Sequence, residues 1–222
     1  MPTPKLQYHA DGTPSVLKKR IDYTKLRFYQ RADVLYQLTK AFCTRFLPKF
    51  GDRTVDQMVQ SARSIKQNIV EGFVDGQTSS EVEIKLLGIA RGSNQELLED
   101  YLDYLKCNQI VEWKGNSPRF EPLYTFCKEH SELAAFQPYI DRWTDEEIAN
   151  CCICMCHMVD KGLENYIKIL DKQFVEEGGI RERMSAARLE NRITQKEQIA
   201  QLKEENAALR REIAVLKQRL GE

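Results

Sequence analysis

Phe28, Ala32, Leu35, Leu38, Phe42 and Phe46 recur at three- and four-residue steps, which places them on one face of a helix. The pattern predicts a first helix from Lys25 to about Phe46, closed by Pro48 and Gly51. A second helix is predicted from Thr54, where TVDQ has the form of a capping box: the Thr hydroxyl accepts from the amide three residues on while Gln57 reaches back. It ends near Gly72. Ser80 and Glu83 repeat the signature, and Ile84, Leu87, Ile89, Leu97, Leu98, Leu102 and Leu105 carry a long third helix to about Cys107. NQIVEWKGNSPRFEP then reads as a connection rich in turn residues. A shorter helix is expected around Leu123 to Ala135, followed by Pro138. A third capping box, TDEE from Thr144 to Glu147, opens a fourth long helix that runs to about Val175 and stops at Gly178 and Gly179.

Nowhere do four or more residues alternate cleanly between turn signals, so no strand is expected. The fold class is all-α: an antiparallel four-helix bundle over residues 22–180. Residues 1–21, with their Pro, Gly and charged residues, read as a flexible arm with at most one short turn of structure.

From residue 181 the period changes. Ile199, Leu202, Asn206, Leu209, Ile213, Leu216 and Leu220 alternate steps of three and four, the a and d positions of a heptad. Glu205 with Arg210, and Glu212 with Lys217, take g and following e positions, where opposite charges attract across two parallel helices. Ile at a, Leu at d and a single Asn at a favour a parallel two-stranded coiled coil, a leucine zipper, over residues 181–222. A single amphipathic helix docked on the bundle is the alternative, but it would carry a wider apolar stripe. A regularity this high also fits a zipper appended to the domain.

Charge then narrows the partners. The 222 residues hold 33 basic and 33 acidic side chains, which removes the simplest argument for nucleic acid binding. The balance is local, however: Lys18, Lys19, Arg20, Lys25, Arg27, Arg31, Lys40, Arg45 and Lys49 make the N-terminal third basic, while residues 112–177 are acidic. A polyanion would be met by the N-terminal third. No run approaches the roughly 18–20 apolar residues of a membrane span, and MPTPKLQYHADG lacks an apolar signal core. Seven cysteines without regular spacing fit a reducing compartment, and a cytoplasmic location is expected.

Within ARSIKQNIVEGF, Ser64, Asn68 and Glu71 share one helical face, while Ile65, Ile69 and the earlier Val55, Met58 and Ala62 cover another. This second helix, with GIARGSNQELLEDYLDYL on the third, resembles the four-helix-bundle proteins related to ribosomal-RNA intervening-sequence proteins. The same superfamily holds the accessory variability determinant of diversity-generating retroelements. DRTVDQMVQSARSIKQNIVEGF, EIKLLGIARGSNQELLEDYLDYL and FVEEGGIRERM are most similar to the branch called four helix bundle suffix domain proteins. The resemblance covers about Tyr23 to Met184 and leaves out the tail from Arg192. It implies a ring-forming bundle, since relatives assemble as pentamers. For the accessory determinant it implies binding of a reverse transcriptase and nucleic acid through a strongly basic surface. This chain departs from that last feature by being neutral overall.

Ser64, Asn68 and Glu71 are expected to meet Ser93 and Glu96 of the third helix, or a neighbouring subunit, in a polar seam that fixes register where an apolar contact would slide. A solvated face that happens to lack Lys is the plainer alternative. CCICMCH, from Cys151 to His157, invites a metal or redox reading. A tetrahedral zinc site draws ligands from at least two segments, and cysteine is among the most often buried residues. These thiols are read as structural, with no metal and no cofactor. Di-iron bundles need Glu-x-x-His pairs, and none of His9, His130 and His157 follows a Glu at that spacing. There is no phosphate-cradling glycine loop, HExxH or nucleophile elbow, and an enzyme is not expected. RMSAARLENRITQKEQ, ahead of the zipper, is interrupted by Glu182, Glu190 and Glu197 nearby and lacks the dense cationic face of a basic-region DNA contact helix.

Two functions follow as expectations. The first is a non-enzymatic homo-oligomeric scaffold, an accessory assembly protein with a ring such as a pentamer favoured over a dimer. The second is an RNA-binding accessory factor of a reverse-transcriptase complex, using Lys18, Lys19, Arg20, Lys25, Arg27 and Arg31 as a rim multiplied around the ring. Asn206 prefers two strands, which sets the tail against an odd-numbered ring. Burial of a bundle face is expected to outweigh about three heptads, so that the oligomer persists when the chain is cut after Arg192.

Overall fold

The computed structural model describes residues 6–19, 21–48, 53–115 and 117–220, the side chain of Leu220 excepted. The helices are α1 (Arg27–Phe46), α2 (Arg53–Asp75), α3 (Ser80–Cys107), α4 (Phe120–Glu129), α5 (Leu133–Ile140), α6 (Asp145–Glu177) and α7 (Ile180–Leu220), with a 3-10 turn at Tyr23–Lys25 before α1. The described residues are all-α apart from a ribbon of two short antiparallel strands, β1 (Gln7–Tyr8) and β2 (Pro14–Ser15). It divides into two compact units: residues 19–175, and residues 1–18 with 176–222.

In the first unit, successive long helices meet in opposite directions. Along α1 and α2, Phe28 stacks near Phe73 while Lys66 reaches Asp33 at 2.5 Å. Between α2 and α3 the contacts run from Ser61 with Glu96 to Ser64 with Ser93. Between α3 and α6 they run from Tyr104 with Asp145, through Asn94 with the carbonyl of Cys156 and Arg91 with Asp160, to Glu83 with Tyr166. In each pair one position rises as its partner falls. Leu35, Leu38, Phe42, Ile65, Ile69, Leu87, Leu97, Tyr101, Ile148 and Met155 are fully buried among these helices. Gly162 allows the closest approach of α6 to α1, because a Cβ there would lie 2.6 Å from the Cβ of Phe28.

The start of α6 follows its sequence signal: the Thr144 amide donates to Glu147 at 2.8 Å and the Glu147 amide to the Thr144 hydroxyl at 3.3 Å. The other two capping signals need correction. Ser79, one residue before the expected Ser80, caps α3 by accepting from the amide of Val82. Thr54 lies inside α2, which is already helical at Arg53, and so does not serve as the cap. The expected short helix at 123–135 is two helices, α4 and α5. They separate at His130, where the backbone is extended. The Ser131 hydroxyl there donates to Gln30 on α1 at 2.7 Å. Pro138 lies within α5 and does not end the helix; the bond it forfeits is offset by burial of Phe136 and Ile140.

In the second unit the expectation of a loose, strandless arm is corrected. Gly12 turns the chain at φ +82°. Asp11 accepts from both the amide and the hydroxyl of Thr13, at 3.0 and 2.6 Å. The strands this turn pairs are two residues long, too short to print an alternation in the sequence. The ribbon is tied to α7, where the Tyr8 hydroxyl donates to Glu190 at 3.1 Å.

Candidate functional site

The polar face of α2 is turned toward α3. The Ser64 and Ser93 hydroxyls lie 2.9 Å apart, and the Asn68 amide donates to the Ser64 carbonyl at 2.9 Å and to its hydroxyl at 3.1 Å. All three side chains are half-buried. Glu96 joins by accepting from Ser61 at 3.4 Å, a residue sequence reasoning passed over although it precedes Ser64 by three on the same face. Glu71 is exposed and stands outside this network. Deeper between the helices, the Tyr101 hydroxyl donates to Thr39 at 3.0 Å, and Thr39 donates to the Leu35 carbonyl at 2.7 Å. Burial, with the Cys152 thiol alongside, pushes the Tyr101 phenol well above its ordinary pKa.

The basic residues of the N-terminal third have differing surroundings. Arg27 donates through Nη2 to the carbonyls of Lys128 and Glu129, at 2.5 and 3.0 Å. Arg31 donates to those of Cys127 and Lys128, at 3.2 and 3.1 Å. Both guanidinium groups therefore close the C-terminus of α4, where carbonyls lack helical partners and favour cations. Burial and the charge of Arg27 pull the Arg31 pKa down. Lys25 pairs with Asp22 at 3.5 Å, Lys19 is exposed and Lys18 is half-buried. Arg20 lies outside the described residues.

The cysteine-rich stretch sits inside. Cys151, Cys152, Cys154 and Cys156 are buried, as are Cys43 and Cys127, and the sulfurs of Cys127 and Cys151 lie 3.8 Å apart. Burial and neighbouring thiols push the Cys152 and Cys156 thiols upward, away from the reactive thiolate. Among the described residues, no three His, Cys, Asp or Glu side chains are grouped so as to hold a metal ion, and no helix is long and apolar enough to cross a membrane.

The α7 heptad residues are uncovered. Ile199, Leu202, Leu209, Ile213 and Leu216 are 48–57 % exposed, and Asn206 is exposed with its amide donating to the Leu202 carbonyl at 2.9 Å. Leu220 belongs to the helix, but its side chain is outside the described residues.

Residues 24–135, half of the chain, match the family model for the 23S rRNA-intervening sequence protein. The chain belongs to that family. The matched span takes in α1 to α4 and the opening of α5, and so contains the Ser64–Asn68–Ser93 contact together with Lys25, Arg27 and Arg31. It leaves α6 and α7 beyond it. Comparison with curated proteins gave no match, nor did comparison with solved structures.

Proposed function

We propose that this member of the family is a non-enzymatic cytoplasmic scaffold whose four long helices α1, α2, α3 and α6 form an antiparallel bundle, and whose α7 pairs in parallel with α7 of a second copy. The alternating directions of the α1–α2, α2–α3 and α3–α6 contacts support the bundle. The observation that carries the association is the exposed heptad stripe of α7. Among the described residues nothing covers Ile199, Leu202, Leu209, Ile213 and Leu216 of this 41-residue helix. Covering half-exposed Ile and Leu side chains contributes about 1 kcal/mol each. Asn206, whose amide already uses the Leu202 carbonyl, keeps its side-chain oxygen for the Asn206 facing it in a two-stranded seam.

This reading shifts weight from the bundle to the tail. The seam hydroxyls of Ser64 and Ser93 serve each other within one subunit, so they do not call for a neighbour. The outward side of α3 offers Val82 and Ile89 as exposed apolar residues, against the five exposed heptad residues of α7. Solution mass of the full chain, compared with a chain ending at Arg192, tests the proposal.

The second reading, an RNA-binding accessory factor of a reverse-transcriptase complex, rests on Lys19 exposed near the start of α1 and on the family's connection with ribosomal RNA. It is weakened by Arg27 and Arg31, whose guanidinium groups are engaged at the end of α4. Salt-dependent binding of single-stranded RNA tests it.

A further inference from the structure

A cavity of about 850 Å³ opens in the first unit between the connection after α3, α4 and the middle of α6. That volume lies within the roughly 300–1,000 Å³ of small-molecule sites. Trp113, Phe120 and Tyr124 form one wall, and Leu102, Ile153 and Met158 the other. From the sequence, Trp113 and Phe120 read as part of a turn-rich connection, with no sign of a site.

The aromatic wall is held open by polar contacts. The Trp113 amide donates to Asn150 at 2.7 Å and its indole N–H to Glu146 at 2.8 Å. Asn150 in turn donates to the Val111 carbonyl at 3.3 Å and to that of Glu146 at 2.9 Å. The Arg119 guanidinium lies 5.3 Å from the Trp113 ring centre and pairs with Glu146 at 3.2 Å. These contacts fix the Trp113 ring to α6.

The charged lining is one-sided. Arg31, Lys114, Lys128 and Lys161 stand against a single carboxylate, Glu112, which is ion-paired with Lys114 at 2.9 Å. Lys161 is held by Glu164 at 2.9 Å. Arg31 lines the cavity with its Nη2 donating to the Cys127 and Lys128 carbonyls at 3.2 and 3.1 Å, and adds a fixed positive charge there.

We propose that this cavity binds a small amphipathic anion, an apolar or aromatic body ending in a carboxylate, sulfonate or phosphate. The body lies between the Trp113–Phe120–Tyr124 wall and α6, and the anionic end lies toward Lys128. The site is independent of how copies of the chain associate.

The test titrates the full chain with anilinonaphthalene sulfonate, following its fluorescence and the quenching of tryptophan emission, and with the neutral analogue N-phenylnaphthylamine. Saturable binding of one anionic probe per chain is expected, with quenching lost in Trp113→Phe and affinity reduced about tenfold by Leu123→Trp, which fills the half-buried mouth. Lys128→Gln, at an exposed position, is expected to weaken the anionic probe severalfold and leave the neutral one unchanged. Dodecanoate should displace the probe. Circular dichroism melting establishes that each variant is folded. Probe binding by folded Leu123→Trp protein at wild-type affinity would place the probe on the exposed α7 stripe and overturn the proposal, as would equal binding of the two probes with no effect of Lys128→Gln.

Discussion

The side-chain hydroxyls of Ser64 on α2 and Ser93 on α3 lie 2.9 Å apart, and the amide of Asn68 adds a third member to the pair at 3.1 Å from the Ser64 hydroxyl. The three groups sit at the edge of a fully apolar contact that contains Ile65, Ile69 and Leu97. Sliding α2 along α3 by one turn would strand them half-buried, whereas the apolar residues would find equivalent neighbours. Replacing Ser64 and Asn68 together by Leu is expected to cost about 1–2 kcal/mol, which lowers the melting temperature by roughly 2–8 °C for a domain of this size. An unchanged melting temperature would contradict a register role for the seam.

The Tyr101–Thr39 pair gives an asymmetric prediction. Tyr101→Phe leaves Thr39 still donating to the Leu35 carbonyl, so the loss is expected near 1 kcal/mol. Thr39→Val leaves the Tyr101 hydroxyl fully buried with only the weakly accepting Cys152 thiol beside it, and should cost more, about 2–3 kcal/mol. Denaturant midpoints for the two variants check the order, and equal losses would contradict it.

Thiol chemistry should separate one cysteine from the rest. Cys107 is exposed, while Cys43, Cys127, Cys151, Cys152, Cys154 and Cys156 are buried. Burial pushes the Cys152 and Cys156 thiols upward, so near pH 8 they stay neutral and unreactive. Titration of the native protein with a disulfide reagent at pH 8 is expected to modify Cys107 quickly and the other six only after denaturation. Rapid native modification of several thiols would show that α6 opens far more readily than its packing implies.

Much of this was legible beforehand because it rests on short-range regularities. The bounds of α3, the reciprocal Thr144–Glu147 cap and the exposed stripe of α7 follow from spacing alone. The β1–β2 ribbon was not legible, since two-residue strands carry no period and depend on the Asp11–Gly12 turn and the Tyr8–Glu190 contact with residues 182 positions away. Nor was the use of Arg27 and Arg31: in the sequence they are two cations near a helix start, and only the return of α4, about a hundred residues later, supplies the carbonyls they serve. The half-split polar face was partly visible. The stripe Ser64–Asn68–Glu71 placed Ser64 and Asn68 together with Ser93, but the last member falls beyond the arc that α3 covers.

RNA binding is expected to be weak. Arg27 and Arg31 are engaged and Lys25 is paired with Asp22, which reduces what these three cations offer to phosphates. Filter binding of single-stranded RNA should show a shallow salt dependence, flattened further by changing Lys18, Lys19 and Arg20 to Ala. A steep slope, near 0.7 per phosphate neutralised over several phosphates, would favour the accessory-factor reading over the scaffold.

The central claim is that two copies of the chain join through the heptad stripe of α7, and mass in solution tests it most directly. Light scattering at tens of micromolar protein is predicted to give a mass at least twice the 25.8 kDa of one chain, in an even multiple. The chain ending at Arg192 should show a lower multiple than the full chain. A full chain that runs as a monomer, or an odd-numbered oligomer whose multiple is unchanged by the truncation, would contradict pairing through α7.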